Sequence, residues 1–413
     1  MPTTSPGIAA DAPGSRAAPS RRFRRLGLAL IVVLVAAALV VTLVPPVRVA
    51  TQVALLVPEL TGAGPRILAV VTPEPVRTSL TYGPDEDRMD LYRPDGSPAG
   101  DGSAPGDDGR PAVLLVLGIS PVPLDDERVI RVGTALARLG LVVGVPSSRE
   151  LMALRLGADE PGRVVAAYEA LADQADVDPG RVGMAGFSVG GSLALVAAAD
   201  PRIADRVAYV NAFGAFADAG TLLVDVASRT VETEGSVRPW PPGKLAREVL
   251  LAMLLEAVPE GPQRERVETA IAPIVLADSA TSGAFDPALA ASLAADALAA
   301  YRLATAPDRD TARTALASLS PGRRALLDAV SPVASARSIS APVFLMHEAT
   351  DDAIPASHLA PLADAIPGPS LRQVTEFRLF DHVEVREGVG LDDLPELARL
   401  YGHLVEVVGV ALE

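Results

Sequence analysis

The sequence predicts an α/β fold with an inserted helical block, preceded by one N-terminal transmembrane helix. Three observations carry that expectation. Beyond residue 65, short β-rich runs alternate with helical runs. One β-rich run, Ala112–Leu117 (AVLLVL), is apolar at every position, as a strand buried on both faces must be. Ahead of them all, Leu26–Val44 is a stretch of 19 residues without a charge.

Residues 1–25 begin with Pro, Ala, Ser, Thr and Gly and end in Arg21, Arg22, Arg24 and Arg25, so a disordered, basic cytoplasmic tail is expected. As a helix, residues 26–44 span about 28 Å, close to a bilayer core. A cleaved signal peptide is the competing reading, but the run is long, and Pro45, Pro46 and Arg48 spoil the obvious cleavage sites. The expectation is a single-pass anchor in the cell membrane, with the N-terminus cytoplasmic and the remainder outside. Residues 45–65 read as a stem.

Two β-rich runs follow, Arg66–Val71 and Asp87–Tyr92, then a Pro/Gly/Asp-rich loop from Pro94 to Pro111. After Ala112–Leu117 come a helix over Arg128–Leu139, a strand at Leu141–Val145 and a helix opened by Pro161. Arg181–Ala185 and Val207–Asn211 are two more short strands. From residue 219 strand signals almost vanish, and Ala-, Leu- and Glu-rich helical runs dominate. The β pattern returns at Val343–Met346 and Val374–Phe380, and Leu394–Leu412 reads as a closing helix. The domain reading is therefore 66–218 and 336–413 as two parts of one α/β domain, interrupted by a helical cap over 219–335.

Composition removes several function classes. The 413 residues include no Cys and four His, which excludes thiolate chemistry and argues against a multi-His metal centre. The net charge of −15 argues against nucleic-acid binding. No P-loop, dinucleotide fingerprint or zinc spacing is present, so no cofactor is expected. Asp125-Asp126-Glu127 reads as a solvated helix start rather than a metal cluster. The run Val249–Leu255 reads as a buried cap helix, and Trp240 as a packing anchor.

The sharpest chemical signal is Gly186-Phe187-Ser188-Val189-Gly190, with a strand (RVGMA) before it and an Ala/Leu helix after it. That strand–turn–helix setting is what a nucleophilic serine on a tight turn requires. The segment Asp178–Gly191, together with Asp90-Leu91-Tyr92-Arg93-Pro94, resembles the α/β-hydrolase superfamily, in particular its dienelactone-hydrolase and prolyl-oligopeptidase-like esterases. The resemblance implies a mostly parallel eight-stranded sheet, with the cap inserted after the sixth strand.

In that superfamily the order along the chain is serine, acid, histidine. Val343–Pro355 is similar to the family's acid strand and loop. It implies Asp351 as the acid, with Asp352 as the alternative and His347 packing at the strand end. Asp381-His382-Val383, after the last strand, implies His382 as the base; His403 and His358 lie elsewhere in the pattern. The oxyanion would be held by the N–H groups of Val189 and, from the loop after AVLLVL, Ile119. Two departures stand out. Leu117 replaces the family's usual His before Gly118, and Glu348 stands where Gly is usual.

The resemblance thus implies a membrane-anchored, extracytoplasmic carboxylic ester hydrolase acting on a small-molecule or lipid-like ester. An acyltransferase or a peptidase would use the same triad. The two departures favour the opposite alternative, a catalytically inactive binding protein of the cell envelope.

Overall fold

The computed structural model describes residues 40, 43–62, 65–94, 109–278, 285–386 and 388–412. The tail 1–25 and nearly all of Leu26–Val44 lie outside them. Among the described residues no helix is long and apolar enough to cross a membrane. The chain divides into two units, 1–51 and 52–413, and the second carries the sheet. A helix occupies Pro45–Thr61.

Eight strands form one sheet. In chain order they are β1 (Val76–Tyr82), β2 (Asp87–Arg93), β3 (Arg110–Val116), β4 (Val142–Pro146), β5 (Val177–Phe187) and β6 (Val207–Phe213). After a separate hairpin, β7 (Thr230–Thr233) and β8 (Ser236–Pro239), come β9 (Val343–Glu348) and β10 (Leu371–Phe377). The order across the sheet is β1-β2-β4-β3-β5-β6-β9-β10. Only β2 opposes its neighbours; β4-β3-β5-β6-β9-β10 run parallel.

The centre of the sheet is apolar on both faces. Leu114 and Val116 join a core with the helices Glu160–Ala172 and Val189–Ala198. Val113 and Leu115 point the other way, toward the helices Glu127–Ala137 and Leu394–Leu412. This double burial is why β3 reads as an unbroken apolar run. At the edge, Asp90 of β2 is fully buried and takes hydrogen bonds from Ser79, Arg77 and Arg88, so its charge is matched across the hairpin.

Between β6 and β9 the chain is mostly helical, with Ala219–Ser228, Lys244–Glu256, Pro262–Val275, Ala295–Ala304, Arg309–Ala317 and Pro321–Ala329 as its longer helices. These helices do not build a core of their own. Leu250, Val267, Ile271 and Tyr301 belong to the same buried cluster as Val182 and Leu193 under the sheet. A polar link also crosses here: buried Asp225 bonds both Arg309 and His358 Nε2, and His358 Nδ1 accepts the Ala217 N–H.

Three local expectations are corrected. Arg66–Val71 is not a strand; Ile67–Val71 is a short helix with Val70 and Val71 exposed. The Glu59 carboxylate takes the Ala69 N–H, the donor a ladder would need. The interval after residue 219 is not free of strands, since Thr230–Pro239 folds as the β7-β8 hairpin around a Glu234-Gly235 turn with positive φ at both residues. The last long strand ends at Phe377, and Phe380 begins a separate two-residue strand.

Candidate active site

Ser188 sits between β5 and the helix Val189–Ala198 with φ 55° and ψ −131°. That conformation is strained for a residue with a Cβ. Its N–H donates to Phe213 O at 2.7 Å, and its carbonyl accepts from Gly191 N at 2.9 Å. The flanking glycines are required by proximity. A Cβ on Gly186 would lie 2.4 Å from Gly190 O, and one on Gly190 would lie 2.3 Å from Val116 O. Strand, turn and helix are thus packed too closely for a side chain at either Gly186 or Gly190.

Asp351 follows β9 and is 2% exposed. Its Oδ1 accepts the N–H groups of Ala353 and Ile354 at 2.8 and 2.9 Å, and its Oδ2 accepts His382 Nδ1–H at 2.6 Å. Burial alone would raise its pKa. The hydrogen bond and charge of His382, with the Ile354 N–H, outweigh it and hold the carboxyl below its ordinary value.

His382 is the first of two residues joining the short strands β11 (Phe380–Asp381) and β12 (Glu384–Val385). Its φ is 57°, a value such tight turns usually reserve for Gly. Because Nδ1–H donates to Asp351, Nε2 is left with its lone pair, the tautomer a general base needs. Nε2 is buried and, among the described residues, has no hydrogen-bond partner. Ser188 and His382 line one cavity, yet no hydrogen bond joins them in this conformation. Asp351 and His382 are brought into contact, and Ser188 lines the same cavity as His382.

The loop of the missing histidine lies against the serine. A Cβ on Gly118 would stand 2.8 Å from Ser188 Cβ and 3.3 Å from its Oγ. Among the described residues, neither the Ile119 nor the Val189 N–H donates to a protein acceptor, so both remain available to a ligand.

The second departure has a clear structural role. Glu348 ends β9 with 1% exposure. Its Oε2 accepts the N–H groups of Leu379 and Phe380, and its Oε1 accepts from Thr350. It therefore holds the start of the hairpin that carries His382. Sequence reasoning missed this, because the two N–H groups lie some thirty residues downstream and carry no side-chain signal.

The remaining candidates are structural. Asp352 is exposed, and its backbone carbonyl accepts Gly243 N–H at 2.6 Å. His347 is fully buried, donates from Nε2 to Ile354 O, and is held low in pKa by burial. His403 lies between Thr375 and Asn211, with burial pushing its pKa down to about 4. Trp240 donates from Nε1 to Asp351 O at 2.9 Å. Asp126 caps the helix Glu127–Ala137 by accepting Arg128 N–H. Among the described residues no cluster of three or more His, Asp or Glu could hold a metal ion.

Two cavities meet at Ser188. One, of about 380 Å³, is also lined by His382, Phe187, Arg128, Arg163 and Glu160. Burial raises the Glu160 carboxyl above its ordinary pKa. The other, of about 50 Å³, lies beneath the cap helix Lys244–Glu256. Ser188, Ile119 and Leu245 line both.

No protein-family model matches the chain, and no curated protein matches it. Solved structures do. A 2,6-dihydroxy-pseudo-oxynicotine hydrolase is similar over 81% of this chain and 68% of its own, with 16% identity and a TM-score of 0.45. A Pyrococcus horikoshii acylaminoacyl peptidase is similar over 81% and 41%, with 12% identity and a TM-score of 0.44. A Mycobacterium tuberculosis puromycin-hydrolyzing peptidase is similar over 82% and 38%, with 16% identity and a TM-score of 0.43. The chain thus spans about two fifths of the length of the two peptidases. From its own strand order, its strained serine between β5 and a helix, and the sequence Ser188, Asp351, His382 along the chain, the protein has the α/β-hydrolase fold.

Proposed function

We propose that this protein is a serine hydrolase that cleaves carboxylic esters through an acyl-enzyme. One observation carries the reading: Asp351 fixes His382 Nδ1–H at 2.6 Å, which leaves a buried, unpartnered Nε2 in the cavity that Ser188 lines. The serine loses its proton to Nε2 as Oγ attacks the ester carbonyl carbon. Negative charge collects on the carbonyl oxygen, where the N–H groups of Val189 and Ile119 hold it; such a donor contributes about 3–4 kcal/mol. The bond to the alcohol oxygen then breaks, and His382 returns the proton to that oxygen. Water gives a proton to the same Nε2 as it attacks the acyl carbon, the bond to Ser188 Oγ breaks, Oγ takes the proton back from His382, and the acid leaves. Asp351 stays ionised throughout and stabilises the imidazolium. Glu348 supports activity rather than opposing it, since its carboxylate secures the His382 hairpin. In this reading Leu26–Val44 tethers the enzyme outside the cytoplasm; protease accessibility of the domain on intact cells tests that part.

The test of the chemistry is labelling of the full-length protein in detergent with a fluorescent fluorophosphonate. Labelling abolished by Ser188→Ala and by His382→Ala, but present in the unmodified chain, is the expected result. A folded protein that is not labelled would overturn the assignment and return the fold to a binding role.

A further inference from the structure

The two cavities at Ser188 differ nearly eightfold in volume and differ in chemistry. His382 lines the larger cavity only. Val189 and Ile354 line the smaller only. This asymmetry orients a substrate. When the tetrahedral intermediate collapses, the leaving oxygen must take its proton from His382 Nε2, so the alcohol portion lies on the His382 side. The acyl substituent then points the other way, beneath the cap.

We propose that the 50 Å³ cavity is the acyl subsite and that the substrate class is an ester of a short, uncharged acyl group with a bulkier alcohol. The proposal rests on the serine-hydrolase reading above. The small cavity is walled by Phe216, Val226, Ala246, Leu250 and Met253, and among the described residues Ser188 is the one polar residue on its wall. A charged or hydroxylated acyl chain would lose its hydration there with nothing to replace it. One water needs at least about 10–15 Å³ of such space, so 50 Å³ admits a few carbon-sized groups and no long chain. That favours butanoyl and pentanoyl groups over long fatty acyl chains. The 380 Å³ cavity is also apolar near the serine but carries Arg128, Arg163 and Glu160, which suits a large alcohol bearing polar groups. Leu245, at the start of the cap helix, lines both cavities.

The experiment compares two isomeric esters on the full-length protein, naphthylmethyl butanoate and propyl naphthylacetate. They present the same two groups with the carbonyl reversed. The first is expected to have at least a tenfold higher kcat/KM, since a misfitted apolar group costs about 10–200-fold per methylene-sized step. In a naphthylmethyl series from acetate to decanoate, kcat/KM should peak at butanoate or pentanoate. Ala246→Phe, which fills the small cavity, should lower the butanoate-to-acetate ratio about tenfold. Met253→Ala, which enlarges it, should move the peak at least two carbons longer and serves if the first variant does not fold. Preference for propyl naphthylacetate, or a peak that neither variant moves, overturns the subsite while fluorophosphonate labelling of Ser188 leaves the hydrolase reading standing. Loss of labelling overturns both.

Discussion

Glu348 and Phe380 are joined by a 2.9 Å hydrogen bond from the Phe380 N–H to Oε2, and the Leu379 N–H reaches the same oxygen at 2.8 Å. The carboxylate is buried, and the hairpin it holds places His382 two residues further on. Glu348→Ala leaves both N–H groups unpaired and frees the hairpin. Steady-state kinetics should then show kcat reduced about 10–100-fold with KM changed less than about threefold, because misplacing a catalytic group costs rate rather than binding. Glu348→Gln keeps an acceptor oxygen and should recover most of the rate. If Glu348→Ala retains full kcat, packing of Phe380 against Phe213 and Phe377 alone positions the hairpin.

The two adjacent aspartates separate cleanly. Asp351→Asn removes the charge that orients His382 and should cost about 10³–10⁴-fold in kcat at neutral pH. Asp352→Asn alters a side chain at the surface and leaves its backbone bond to Gly243 in place, so kcat should stay within about twofold. Equal losses in the two variants would contradict the Asp351–His382 pairing.

Ser188 stores strain at φ 55°. Ser188→Gly releases it and should raise thermal stability by about 1 kcal/mol while abolishing hydrolysis. Ser188→Ala, which keeps the Cβ, should abolish activity without that gain. Denaturant titration of both variants distinguishes them.

His403 makes stability depend on pH. Burial lowers its pKa from 6.5 to about 4 in the folded chain. Above pH 6.5 it is neutral in both states and costs nothing. As pH falls below 6.5 the unfolded chain binds a proton the folded chain refuses, so stability declines until about pH 4 and then levels. From pH 7.5 to 5 the loss is about 2 kcal/mol for this group. His347, also held low by burial, adds to the same decline. Urea midpoints at the two pH values should converge in His403→Gln relative to the unmodified chain.

The serine turn and the parallel core were legible because each rests on local pattern. Gly186 and Gly190 are needed for contacts with their own neighbours, and the two-faced apolar run of β3 follows from burial on both sides. Asp351 and His382 were legible from order along the chain and from resemblance, while the charge clamp of Glu348 depends on backbone atoms of a distant loop. The strand expected at Arg66–Val71 failed for a related reason: β-branched residues mark a strand only where a neighbouring edge is available. Thr230–Pro239 was missed because its polar, exposed hairpin carries no apolar alternation to detect.

The segment that leads into the cap helix Lys244–Glu256 is fastened to the loop that carries Asp351. Trp240 Nε1 bonds Asp351 O, and Gly243 N bonds Asp352 O. These two bonds tie this segment of the helical block to the loop that carries Asp351. Displacing this segment would pull on the loop whose Asp351 orients His382. The same coupling limits how this block can be exchanged: a foreign insertion on this sheet would lose both bonds unless it brought donors of its own at matching positions.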